Sequence, residues 1–153
     1  PHLLKSENPH ILNISPPLDM NPDWFSGHVA YSMAKFGMSL CVLGMAAEFK
    51  DDGVAVNALW PRTAIATAAV KNVLGGEQLV NISRGPEIMA DAAYVILTKP
   101  SKEFSGNFCI DDTLLAENGV SDFSVYADVP FDQLAPDFFV PEDMPPPEAA
   151  KKS

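Results

Sequence analysis

Tyr31 and Lys35 stand four residues apart in the stretch Ala30-Tyr31-Ser32-Met33-Ala34-Lys35-Phe36-Gly37. On a helix, side chains at i and i+4 share one face a turn apart, so the ammonium can sit close to the phenol. A free tyrosine titrates at about 10, and a neighbouring cation favours its phenolate. Each unit of such a shift corresponds to about 1.4 kcal/mol of preference for the charged form. A phenol tuned in this way suits proton exchange with a carbonyl oxygen as hydride reaches the adjoining carbon. The same spacing also suits two polar residues on a buried helix, and in a chain with three tyrosines it arises easily by chance. The surrounding elements have to decide.

Those elements read as alternating strands and helices. The run 10–14, His-Ile-Leu-Asn-Ile, is short and apolar and closes on Ser15-Pro16-Pro17, as a buried strand does. Pro16, Pro17 and Pro22 make the stretch to Gly27 a loop. Residues 28–50 contain no proline, repeat small and apolar side chains at helical spacing and meet a stop at Asp51-Asp52-Gly53. A second apolar strand is predicted over 54–60, ended by Pro61, then a short helix over 63–73 ended by Gly75-Gly76. Gly85-Pro86 opens a helix to about Thr98, and a third strand is predicted over 107–111. Strands that are apolar throughout and alternate with helices imply a parallel sheet covered on both faces.

The chain has 153 residues, 47% apolar and 20% charged, enough for one domain with a real core. Its net charge of −10 repels the nucleic-acid backbone and anionic membrane surfaces, leaving a small molecule or another protein as the expected partner. The apolar run from Met38 to Ala47 is shorter than the ~18 residues of a membrane span, so no span is expected. Cys41 and Cys109 lack metal or redox spacing and read as buried thiols in a reducing compartment. Past residue 128 the chain turns acidic and proline-rich, a tail or linker over 128–153 without a core of its own, although Phe138-Phe139 could dock.

Taken in order, a strand ending in Ser15, a loop, Tyr31 and Lys35 on a long helix, and the strand Val54-Ala55-Val56-Asn57-Ala58-Leu59-Trp60 closed by Pro61 and followed by Thr63 form one pattern. It resembles the second half of a short-chain dehydrogenase/reductase, and further stretches, "ADAAYVIL", "FSGNFCIDD" and "APDFF", continue the resemblance to Phe139. The resemblance implies an α/β fold, the C-terminal half of a doubly wound parallel-sheet (Rossmann-like) domain over 1–127, followed by the acidic proline-rich tail. It implies Tyr31 as general acid/base, Lys35 as the group that lowers its pKa and bonds the nicotinamide ribose, and Ser15 as the residue that positions the substrate carbonyl. Pro61, Arg62, Thr63 and Ile65 would meet the carboxamide and phosphate side of the cofactor.

Two departures accompany the resemblance. The loop between Ser15 and Tyr31 is a few residues longer than usual in the family, and Arg62 stands where a glycine is common. The Arg62 side chain could reach a cofactor phosphate or point to solvent. Plainer readings stand beside the others: Ser15 as a strand-ending turn, Thr63 as a helix N-cap, His28 as a helix-end residue, Trp24 and Phe25 as core cover, Asp111-Asp112 as the end of a strand. No metal-binding set is visible.

No Gly-rich turn of the dinucleotide-binding kind occurs in the chain, so it is expected to be a piece of a longer reductase. The parent is expected to be an NAD(P)-dependent oxidoreductase of carbonyl or hydroxyl substrates, lipid-like by the resemblance, using NADP(H) ahead of NAD(H). The residues that discriminate the two cofactors are absent. A homo-oligomer joined through helix 28–50 and a peroxisomal or mitochondrial location follow from the resemblance alone. The chain by itself is expected to be inactive, with an exposed apolar sheet edge, and the competing reading is a non-catalytic scaffold or dimer partner.

Overall fold

The computed structural model describes residues 1–152 as two compact units. The first takes Pro1–Trp60 and Ala93–Cys109, the second Pro61–Ala92 and the residues from Ile110 onward.

The first unit is built on a parallel sheet. Strand β1 (His10–Ile14) pairs with β2 (Ala55–Trp60) in the register Ile11↔Val56 and Ile14↔Leu59, and β3 (Phe108–Ile110) flanks β2 on its other side. Every residue of β2 is buried, because a central strand covered on both faces offers no side to water. Helix α1 (Val29–Glu48) turns Ser32, Phe36, Ser39 and Val42 inward at three- and four-residue spacing. Val42 meets Val56 and Ala58 there, with Ile11, Met45, Phe49 and Phe108 packed around them. The proline-rich loop folds back on the same helix. The Ser39 hydroxyl donates to the Pro16 carbonyl at 2.6 Å, the Ser32 hydroxyl donates to the Trp24 carbonyl, and Phe25 stacks on Phe36 at 5.0 Å. The extra loop length is thus taken up by packing along α1. Gly53, at φ 70°, supplies the left-handed turn that releases the chain into β2.

Two expectations for α1 change. Its full 20 residues are long and apolar enough to cross a membrane, which the shorter run Met38 to Ala47 is not. That test alone establishes no span, since the core helix of a soluble protein passes it too. Cys41 is exposed, because its apolar neighbours Leu40 and Leu43 lie on the outward face with it; Cys109 is partly buried, and neither forms a disulfide.

Helix α3 (Glu87–Thr98) carries the chain from the second unit into the first, with Ile88, Ala92 and Ile96 buried one turn apart. In the second unit the helix expected over 63–73 is largely extended chain. Thr63 bridges Pro136 antiparallel and Ile65 bridges Arg84 in parallel, while helical structure begins only before a π-type turn at Val70–Leu74. The cause is a period of two: β-branched Thr63, Ile65 and Thr67 alternate with Ala64 and Ala66. Gly76 starts a short helix, α2 (Gly76–Val80), instead of ending one. Asp111-Asp112 opens helix α4 (Asp111–Glu117), where acidic side chains suit the first turn. Residues 128–152 add Leu134, Phe139 and Ala150 to the buried set, the last of these in α5 (Glu148–Lys151). Of the phenylalanine pair, Phe139 is buried in the left-handed region at φ 66°, and Phe138 stays half exposed.

Candidate functional site

Ser15, Tyr31 and Lys35 all belong to the first unit, at the carboxyl ends of its parallel strands. Lys35 leans from α1 to donate from Nζ to the carbonyl of Ile14, the last residue of β1, at 3.1 Å. The same ammonium lies 5.1 Å from the ring centroid of Trp60, the last residue of β2. Ser15 follows Ile14 directly and is fully buried, with no hydrogen-bond partner on its Oγ. Tyr31, one helical turn before Lys35, is 45% exposed. Lys35 is thus tied to the end of β1 next to Ser15, and Tyr31 precedes it by one helical turn. His28 is the N-cap of α1, the helix-end place expected for it. Tyr126 serves differently: burial, and then its donation to Asp91 at 2.7 Å, push its phenol up to about 12.

Pro61, Arg62, Thr63 and Ile65 lie in the second unit. Arg62 takes neither of the courses open to it in the sequence. Its guanidinium is buried: Nε donates to both Asp112 oxygens at 2.7 and 2.8 Å, Nη1 to the Met144 carbonyl at 2.7 Å and Nη2 to Thr113 Oγ1 at 2.8 Å. These bonds commit the guanidinium to the interior of the second unit, a third course beside the cofactor phosphate and the solvent that the sequence left open. Thr63 is no N-cap; it sits in extended chain with its Oγ1 buried and without a hydrogen-bond partner.

Asp112 is shared. Arg84 Nη1 reaches it at 3.2 Å, and the Arg84 guanidinium lies 5.6 Å from the rings of both Phe123 and Phe131. Asp111 stands beside the pair and accepts from the backbone N–H groups of Arg62 and Asp112 at 3.0 and 2.7 Å. Burial first, then the neighbouring Asp112, pushes the Asp111 carboxyl from 3.8 up to about 7, against those two N–H donors and the attraction of Arg84. The folded protein consequently keeps a proton that the unfolded chain has released between about pH 4 and pH 7, so this group's stabilisation is complete below pH 4 and is lost as pH rises through 7. Asp111→Asn should flatten that slope. Urea unfolding at pH 5 and pH 8 should show the variant gaining on the parent by on the order of 2 kcal/mol across the interval. An equal difference at both pH values would remove Asp111 as the source.

Sequence reading missed Trp60, Arg84 and the Asp112 pairing. Arg84 is the single cation between Lys71 and Lys99, and that isolation was the one local signal available. Among the described residues, no group of three or more His, Cys, Asp or Glu side chains is placed to hold a metal ion.

No family model matches the chain. Hydroxysteroid dehydrogenase-like protein 2 of Danio rerio is 57% identical to it over 147 residues, which cover 94% of this chain and 35% of that protein. A short chain dehydrogenase from Mycobacterium thermoresistibile matches its structure with a TM-score of 0.82 at 50% identity, over 95% of this chain and 51% of that one. Over nearly its whole length the chain is similar to short-chain dehydrogenases. A likeness of fold alone extends to the angucycline C-6 ketoreductase LanV with bound NADP, at 17% identity and a TM-score of 0.52 over 69% of this chain and 42% of that one. The chain spans about a third of the length of the curated relatives it matches. Its three-stranded parallel sheet with flanking helices is the α/β, Rossmann-like fragment expected from the sequence.

Proposed function

We propose that the chain carries the Ser15, Tyr31 and Lys35 side of the active site of an NAD(P)-dependent oxidoreductase that interconverts carbonyl and hydroxyl groups on lipid-like substrates. The observation that carries this reading is the placement of Lys35, bonded to the Ile14 carbonyl one residue before Ser15 and one helical turn after Tyr31. Nothing in a merely structural helix requires an ammonium at the strand ends beside an accessible phenol.

The donor set of the first unit fits a nicotinamide nucleoside: a held cation, a half-exposed phenol and a buried hydroxyl, Ser15 Oγ, that lacks a partner. Lys35 and Tyr31 would hold the ribose, and Thr63 with the backbone of Pro61 and Ile65 the carboxamide. Bound nicotinamide supplies or accepts the hydride. In reduction Tyr31 gives its phenolic proton to the carbonyl oxygen, and in oxidation its phenolate takes the hydroxyl proton. The Lys35 ammonium favours the phenolate and so brings Tyr31 toward the working pH. Ser15 Oγ donates to the same substrate oxygen and fixes its direction. NADP(H) is the cofactor we favour, in keeping with the NADP bound by the ketoreductase of like fold. Incubating the protein at its native length with NADPH or NADH and a panel of aliphatic aldehydes and ketones, while following cofactor oxidation and alcohol formation, tests the reading. Absence of turnover across the panel with both cofactors would overturn it.

A second copy of the chain is the partner we propose for the outer face of α1, where Met33, Leu40 and Leu43 are 67%, 58% and 54% exposed. Leu40→Glu combined with Leu43→Glu should convert the native-length protein to monomers in sedimentation velocity. An unchanged sedimentation coefficient would place the interface elsewhere.

A further inference from the structure

Lys35 is held by two strand ends at once. Its Nζ donates to the carbonyl of Ile14 at the end of β1, and it lies 5.1 Å from the ring centroid of Trp60 at the end of β2. The strands are neighbours in parallel register, with Ile14 opposite Leu59, so the two anchors sit side by side on the edge where ligands of α/β sheets bind. A lysine stem has four rotatable bonds, and a single carbonyl fixes one donor while leaving the ammonium free to swing about it. An aromatic face adds a second restraint of a different kind: the ring quadrupole attracts the charge over an area and occupies none of its N–H donors. Indole is the strongest of the side-chain rings in this respect. Trp60 is 3% exposed and fixed within a fully buried strand, so its own position is set by the core and not by the lysine.

We propose that Trp60 is a positioning residue of the dehydrogenase site, whose indole face, together with the Ile14 carbonyl, fixes the place of the Lys35 ammonium and so of its contact with the nicotinamide ribose. The proposal rests on the oxidoreductase reading for its last clause and on geometry alone for the rest. It explains why the residue before Pro61 is a large aromatic in a strand otherwise made of small and aliphatic side chains and one asparagine. It also separates two duties that one residue often carries: Trp60 places the cation, and the cation acts.

Two measurements on the native-length protein decide it. Reductive ¹³C-methylation keeps lysines charged, and a methylated ammonium above an aromatic face is shifted upfield by the ring current. Lys99, 5.2 Å from the Phe104 ring centroid, provides an internal standard for the same effect. The signal that disappears in Lys35→Arg should be upfield in the parent and return to the exposed-lysine position in Trp60→Leu, with the Lys99 signal unmoved. In steady-state kinetics Trp60→Leu should raise KM for the nicotinamide cofactor about tenfold with little change in KM for the carbonyl substrate, and Trp60→Phe should recover most of the loss. A Lys35 signal at the exposed-lysine position in the parent overturns the contact whatever the activity, and it needs no variant to fold. Equal cofactor KM in a folded Trp60→Leu overturns the positioning role. An upfield Lys35 signal in a protein without turnover on any nicotinamide cofactor overturns the oxidoreductase reading and the role together, while the contact stands.

Discussion

Asp112→Ala should destabilise the protein by about 3–5 kcal/mol, the largest effect of any single polar substitution in the second unit. Asp112 is fully buried and answers two cations, Arg62 through both carboxylate oxygens and Arg84 through one. Removing it leaves both guanidiniums out of water and without a counter-charge, which is far costlier than never having buried the group. Asp111 offers partial relief, because its carboxyl can give up its proton and stand in as the anion once Asp112 is gone. Two comparisons separate these contributions. Asp112→Asn keeps the shape and one acceptor and should lose less, and Asp112→Ala combined with Arg62→Met should recover part of the loss by removing one orphaned charge. Urea unfolding with a common m-value measures all three. A loss under about 1 kcal/mol for Asp112→Ala would show that the pairing merely balances its desolvation cost.

Tyr31→Phe should lower turnover by a factor on the order of 10²–10⁴, the usual contribution of a positioned proton donor. Cofactor affinity should fall far less, since Lys35 keeps its anchors at Ile14 and Trp60. Stability should hardly move, because the ring of Tyr31 is 45% exposed and loses only its hydroxyl. A substitution that silences chemistry while sparing binding and folding has the signature of a lost proton donor. Retained turnover in Tyr31→Phe would displace Tyr31 from that role and send the search for a proton donor elsewhere.

The legible parts of the sequence were those whose cause is local. The strand at 54–60 announces itself because a strand buried on both faces is apolar at nearly every step, Asn57 excepted, and the helix at 28–50 because its length and freedom from proline leave little else. The segment 63–67 was misread because alanine favours helix, while the alternation of β-branched residues that decides its extended form is only five residues long. The Arg62 pairing was beyond reach for a different reason. Its partner Asp112 lies 50 residues away and the second cation 28 residues from that acid, and no pattern along the chain records which charges meet inside. Trp60 escaped likewise: its strand was correctly placed, but the cation over its ring comes from a helix that ended twelve residues earlier. Motif and resemblance located the reacting groups, and packing supplied what holds them.

The two compact units exchange the chain three times, at Trp60, at Ala92 and at Cys109. Each unit is therefore assembled from two separate stretches, and the stretches interleave along the sequence. It follows that no single break in the polypeptide can part the two units with both intact: a cut before residue 110 divides the first, and a cut beyond residue 61 divides the second. Ending the chain at 127, where its composition changes, would strip Leu134, Phe139 and Ala150 from the second unit's interior. In evolutionary terms the units are not modules that recombination could shuffle or a gene could shed. They must be inherited, synthesised and lost as one.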